Sequence, residues 1–410
     1  MPSTPQRDPG CRGPGPSIRS QRGLDWFTFF LANVQTGFGP FVAVYLTTRA
    51  WTQVDIGLVL TVGGLSSLAG QIPGGALVDA VRSEKHLATG AVLVIGLAAL
   101  AFAIWPIFPV ILAAEVLHSL ASCVLGPALV AISLGLVGHK AIGERLGRNA
   151  RFASIGNGLA AAAMGACGYL VSTRGVFVLT AVLLIPALIA LACIGDQEID
   201  PERAHGGPVT PKSDARVVSL LRNRPLLILA ACALLFHLAN AAMLPLMGSI
   251  VTMRSGNWAT VLIAACIVAP QLLVALMSPW VGRQAQSRGR RAMLLLGFAV
   301  LPVRGVLLAV VTDPYLLVAV QVLDGISAVV LGILVPLVIA DVTRGTGHFN
   351  LAQGFVGSAV GIGASLSTTI AGYVIDHFGA AAAFLVLAGL GAAGLALLAI
   401  AMPETRPKEM

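Results

Sequence analysis

Apolar residues in this chain gather into runs of about twenty, separated by turn and charged residues, from Leu24 to Met402. A helix of that length, rising 1.5 Å per residue, crosses about 30 Å of hydrocarbon. The pattern predicts helical spans near 24–46, 55–78, 86–105, 108–137, 152–172 and 175–194, then near 225–248, 258–281, 292–311, 315–340, 352–375 and 380–402. Between the sixth and the seventh lies a polar stretch, 195–224, containing Asp196, Glu198, Asp200, Glu202 and three prolines. The expectation is an all-α integral membrane protein of about twelve transmembrane helices. It comprises an N-terminal six-helix bundle over 24–194, a cytoplasmic linker over 195–224 and a C-terminal six-helix bundle over 225–402. Residues 1–23, rich in Pro, Gly, Ser and Arg, read as a disordered cytoplasmic tail, and 403–410 as a second tail. Barrel strands are excluded, because they are about ten residues long and alternate in polarity.

Charge placement orients the bundle. With both termini cytoplasmic, 22 of the 26 Lys and Arg fall in inner segments, and only Arg49, Arg174 and Arg254 fall in outer loops. Arg304 lies inside a span. This asymmetry is the positive-inside signal of a multi-pass protein of the cell membrane. The net charge of +8 is thereby spent on topology, and no nucleic-acid partner is expected. Only 11% of residues are charged and 57% are hydrophobic, against about 25% charged in soluble domains. The six cysteines stand singly without metal-ligand spacing, so no metal or cofactor is expected. The N-terminus lacks a signal-peptide pattern. With no HExxH spacing, no phosphate-binding loop and no paired nucleophile and base, an enzyme is not expected either.

The two halves repeat. Pro73 and Lys85 match Pro279 and Arg291 at an offset of 206, and Val116-Leu117-His118 matches Val322-Leu323-Asp324 at the same offset. Gly126 matches Gly332, and Gly168-Tyr169 matches Gly372-Tyr373 after a slip of two residues. Both copies enter the membrane from the same side, so the repeats are parallel, an arrangement common in transporters.

From Leu24 to Met402 the chain resembles the major facilitator superfamily. The local sign is Gly75-Ala76-Leu77-Val78-Asp79, followed by Arg82 and Lys85, which looks like that family's motif between spans 2 and 3. The resemblance implies that Gly75 lets helices approach, that Asp79 caps or pairs with a neighbouring helix in the outward-facing state, and that Arg82 belongs to the same conformational motif. Where span 4 of the family often carries Arg, Gln and Gly, this chain has Glu115, His118 and Ser119, and span 10 has Gln321, Asp324 and Gly325. The antiporter signature of span 5 is absent.

Ionisable groups at membrane depth are costly and mark function by default. Glu115 and His118, three apart on span 4, are expected within reach of each other as a proton relay or a buried pair. Arg304 and Asp324 lie at matching depths in spans 9 and 10, roughly 12–14 Å from the outer surface, and are expected to form an ion pair. The resemblance makes span 7 and the equivalent span 1 cavity-lining helices, which implies that His237 with Asn240, and Asn33 with Gln35, line a polar cavity; Gln321 joins them. Small residues such as Gly156, Gly158, Gly165 and Gly168 in span 5, and Gly357, Gly361, Gly363 and Gly372 in span 11, suit close helix packing. The segment Asp341–His348 after span 10 is a candidate inner gate. These features point to a secondary transporter moving a small organic solute by alternating access, coupled to a proton or another ion, with membrane lipid as its surroundings and export favoured. An importer, a uniporter and a non-transporting scaffold or sensor remain open at this stage, as do the solute and the oligomeric state.

Overall fold

A computed structural model describes residues 16–36, 38, 40–207, 222–255 and 259–406. Residues 1–15 of the first tail, 208–221 of the linker and 407–410 lie outside the described residues. Among the described residues there is no strand, and the helices are α1 (Ile18–Thr36), α2 (Pro40–Thr48), α3 (Gln53–Ala80), α4 (Glu84–Ile104), α5 (Phe108–Leu170), α6 (Thr173–Ala192), α7 (Pro201–Ala204), α8 (Arg224–Asn240), α9 (Met243–Ser255), α10 (Ala259–Arg288), α11 (Arg290–Val310), α12 (Pro314–Gln321), α13 (Leu323–Val342) and α14 (Phe349–Ala401). Twelve membrane-crossing segments result. Span 1 comprises α1 and α2, span 7 comprises α8 and α9, and span 10 comprises α12 and α13. The long elements α5 and α14 each hold two spans in series, broken at Gly138 (φ 67°) and Gly379 (φ 83°), where the left-handed conformation favours glycine.

Local chemistry sets the helix starts. Thr52 Oγ1, Ser83 Oγ, Ser172 Oγ, Asn223 Oδ1 and Asp313 Oδ1 accept hydrogen bonds from first-turn backbone N–H groups, which otherwise lack partners. Two boundaries differ from the sequence expectation. Helix α1 begins at Ile18, inside the stretch read as tail, because Ser17 donates through N (2.7 Å) and Oγ (2.8 Å) to Glu198 of the linker and so anchors the start. Residues 139–151, read as a loop, are helical, because buried Arg145 and Asn149 are tied into the bundle interior by Asp25 and Ser133.

One core cluster spans Leu24 to Ala204, and another spans Leu226 to Met402 with Leu134, Ile142 and Leu146 of α5 joining it. The outer faces stay apolar: Leu97 is 67% exposed, Leu276 76% and Ile400 86%. That is the surface a helix bundle offers to lipid, where backbone groups are already satisfied within each helix. The parallel repeat recurs in side-chain contacts. Lys85 Nζ donates to the Ile194 carbonyl at 2.6 Å, and Arg291 Nη2 to the Ala399 carbonyl at 2.5 Å, each tying the third helix of a half to its sixth.

The glycines that bring the halves together are not those singled out in span 5. A Cβ on Gly282 would lie 2.5 Å from the Gly143 carbonyl, and one on Gly147 would lie 2.6 Å from the Ser278 carbonyl, so α5 and α10 touch backbone to backbone. Gly75 and Gly354 do the same for α3 and α14: a Cβ on either would run into the Asn350 or Gln71 carbonyl. In span 5, Gly156 instead packs on Phe29 of span 1, while Gly158 and Gly165 face open space. All these contacts between halves lie from the linker end of the spans to about mid-depth, where Ser154 Oγ donates to the Gln271 carbonyl at 2.8 Å.

Candidate functional site

Spans 1 and 7 are interrupted at membrane depth, and polar candidates sit beside the interruptions. Span 7 breaks after Asn240, and the freed N–H of Ala242 donates to Ser367 Oγ on α14 at 3.0 Å. Span 10 runs on through Val322, which lies between Gln321 and Asp324, keeps helical backbone angles and donates its N–H to the Val318 carbonyl at 3.3 Å. Span 1 breaks after Thr36, close to Asn33 and Gln35. Interrupted helices at the midplane are a recurrent way of exposing polar groups to a solute.

In the second half the structure gathers His237, Arg304, Gln321 and Asp324. Arg304, 1% exposed, places Nη1 against Asp324 Oδ1, whose side chain is 25% exposed. The pairing is positioned by Ser327 Oγ, which donates to the Gly297 carbonyl at 2.8 Å and locks span 10 against span 9. Gly325 supports it from the other side, because its missing Cβ lets span 10 lie on the Pro270 carbonyl. His237 lies within electrostatic range of Asp324, and its Nδ1 is 2.9 Å from the Ala233 carbonyl. The Asn240 Oδ1, Gln321 Oε1 and Arg304 Nε atoms are buried without a hydrogen-bond partner among the described residues. Buried polar atoms are nearly always satisfied, so these three stand out.

In the first half Glu115 and His118 do not form the expected pair. No hydrogen bond or ion pair joins them; tertiary packing turns them to different neighbours. Glu115 packs against Gly63 of α3, where a Cβ would lie 2.7 Å from its Oε1. His118 stacks on Phe38 at 3.8 Å between ring centroids, with its Nε2 3.4 Å from Ser122 Oγ. Glu115 Oε2 and His118 Nδ1 are both buried without a partner among the described residues. Asn33 spends its amide on the Phe29 carbonyl (2.8 Å) at the contact with Gly156, and Gln35 is exposed.

At the linker end, Asp79 accepts from Asn350 N (3.1 Å), Asn350 Nδ2 (2.8 Å) and Leu351 N (2.7 Å). A carboxylate thus caps the start of α14 in the other half, where the helix dipole favours negative charge. Arg82 is exposed and pairs with no described residue. The linker is stitched in beside them. Asp200 N donates to the Gly135 carbonyl at 3.2 Å, Phe349 N to the His205 carbonyl at 3.3 Å, and Gly345 N to the Gly206 carbonyl.

Sequence reasoning missed His205 and Asp25. The imidazole of His205, 5% exposed, stands 2.9 Å from Glu84 Oε1. Burial opposes its charge, but the Glu84 carboxylate and the charge of Asp79 prevail and raise its pKa above the ordinary value. A raised pKa gives a contribution that is complete below the ordinary value and lost as pH rises through the folded one. The closed linker end is therefore expected to be more stable at pH 6 than at pH 8, and His205→Gln to flatten that dependence; thermal unfolding of both proteins across this range checks it. Asp25 is buried in an ion pair with Arg145 (2.5 Å) and a second with Arg148, and Arg145 also donates to Asn149 Oδ1 at 2.8 Å. Its position at the start of a span, with bases following span 4, was the signal available.

Comparison with known proteins fits this architecture. The family model described as Major Facilitator Superfamily matches residues 26–283 and 229–410. Two proteins, each named an uncharacterized MFS-type transporter, from Mycobacterium tuberculosis strains CDC 1551 and H37Rv, are 40% identical over 395 residues, covering 94% of both chains. The human organic anion transporter MFSD10 (TETRAN) superposes with a TM-score of 0.71 at 16% identity, over 93% of this chain and 100% of the other. The Escherichia coli fucose:proton symporter gives 0.72 at 15% identity, over 93% and 98%.

Proposed function

Because this chain belongs to the major facilitator superfamily and is a multi-pass membrane transporter, we propose that it moves a small organic solute across the plasma membrane by proton-coupled alternating access, in the direction of export. The observation that carries the reading is a carboxylate at membrane depth in each half: Glu115, packed against Gly63, and Asp324, paired with Arg304. A carboxylate at such depth has no use as a packing group that an apolar residue could not serve better, whereas it can bind and release a proton. A single intramembrane arginine, already paired, suits a neutral, zwitterionic or cationic solute better than one with several phosphates.

With the linker, both termini and the excess Lys and Arg on the cytoplasmic side, the contacts between halves close the inner end, and the conformation corresponds to an outward-facing state. The domain division at 195–224 belongs to the same proposal, with the linker bridging two bundles that rock about a central site.

Substrate-induced pH change in proteoliposomes, measured against a mixed panel of metabolites and drugs, tests coupling. Glu115→Gln is expected to abolish proton movement while leaving solute exchange without a gradient. Solute flux with no proton movement in the wild type would overturn proton coupling and leave a uniporter.

A further inference from the structure

A groove of about 620 Å³ runs along the outer face of the first half between α1 and α6, away from the central polar groups. Its α1 wall is one helical stripe, Arg19, Arg22, Trp26 and Phe30, spaced 3, 4 and 4 residues apart and hence on one face. Its α6 wall is apolar, formed mainly by Pro186 and Ile189. Gly23 makes the floor: a Cβ there would lie 2.9 Å from the Ala190 carbonyl, so the two helices touch beneath the stripe.

The charge lies at one end only. Arg19 and Arg22 are exposed at the linker end, and neither pairs with a carboxylate among the described residues. Two acids of the same end are committed elsewhere, Glu198 to Ser17 and Asp25 to Arg145 and Arg148. From Arg22 to Phe30 the helix rises about 12 Å into the bilayer. Trp26, 50% exposed, stands between the bases and the apolar depth, where an amphipathic ring sits at headgroup level.

We propose that this groove binds an anionic phospholipid, the phosphate held by Arg19 and Arg22 and one acyl chain lying along Trp26, Phe30, Pro186 and Ile189. Two uncompensated guanidiniums beside each other match a phosphodiester in charge and in donor geometry. Basic pockets between helices at the membrane surface are the general form of such sites. An arginine that merely reaches for water needs no groove behind it; here the cations open onto an apolar channel that an acyl chain fills. The assignment to the cytoplasmic leaflet rests on the proposed orientation, whereas lipid binding itself is independent of transport.

Native mass spectrometry of the full-length protein in detergent, titrated with palmitoyl-oleoyl phosphatidylglycerol or the matching phosphatidylcholine, tests this. Phosphatidylglycerol is expected to bind at least tenfold more tightly, and Arg19→Gln/Arg22→Gln to weaken it roughly ten- to thirtyfold. Arg19→Lys/Arg22→Lys is expected to retain most of the preference, which separates charge from misfolding. Inorganic phosphate at millimolar concentration should leave phosphatidylglycerol bound, and acyl-brominated phosphatidylglycerol should quench the wild type more than Trp26→Phe. Equal binding of the two lipids by the wild type, unchanged preference in the glutamine variant, displacement by phosphate or equal quenching would each overturn the site.

Discussion

Arg304→Ala is expected to cost roughly 3–5 kcal/mol of stability and to abolish solute flux, because it strands the Asp324 carboxylate at membrane depth without the cation it pairs with. The converse change, Asp324→Ala, strands a guanidinium that is 1% exposed and is expected to be as damaging. Removing both partners together, as Arg304→Leu/Asp324→Leu, should recover most of the stability, since an apolar pair of similar volume bears no desolvation penalty. It should recover none of the transport, because the carboxylate at membrane depth in the second half is then gone. Thermal unfolding in detergent and uptake by proteoliposomes measure the two quantities separately. Additive losses in the double variant would show that the pair is not energetically coupled, and full flux in it would remove Asp324 from the mechanism.

Asp79→Ala is expected to open the linker end. Three hydrogen bonds from the start of α14 end on that one carboxylate, and bonds to a charged group contribute roughly 1.5–3 kcal/mol each. Conformations of a transporter differ by only a few kcal/mol, so loss of the cap is enough to invert their populations. Gly75→Leu should act the same way by sterics, since its side chain would occupy the space of the Asn350 carbonyl. Spin labels at positions 82 and 344, both exposed at the linker end, report the change: the wild type should give a short distance distribution and both variants a longer one. Unchanged distances in Asp79→Ala would mean that the glycine contacts alone hold the end shut.

What the sequence made legible follows from what the membrane demands. Hydrocarbon requires long apolar helices, so the twelve spans, the parallel repeat and the depth match of Arg304 with Asp324 could be read from spacing alone. Spacing failed where tertiary neighbours decide. Glu115 and His118 are helical neighbours, yet Gly63 leaves room for one and Phe38 attracts the ring of the other. The pairing of Glu84 with His205, and of Asp25 with Arg145, links residues more than a hundred positions apart; nothing local announces the first, and only the place of Asp25 at the start of a span hints at the second. The close glycines at 143 and 147 were hidden for a different reason: they lie in a stretch polar enough to read as a loop, which bound side chains convert to helix.

Lys85 and Arg291, each clamping the third helix of a half to its sixth, have a mechanical consequence. The clamps sit within each half, whereas the halves meet largely through glycine-lined backbone contacts, the Asp79 cap and the Ser154–Gln271 hydrogen bond. Stiff members joined by a slippery seam pivot as wholes. An elevator motion, in which one element slides past a fixed frame carrying the cargo, would have to shear the clamped pairs, so the proposed alternating access is expected to tilt the walls around a cargo site that stays put.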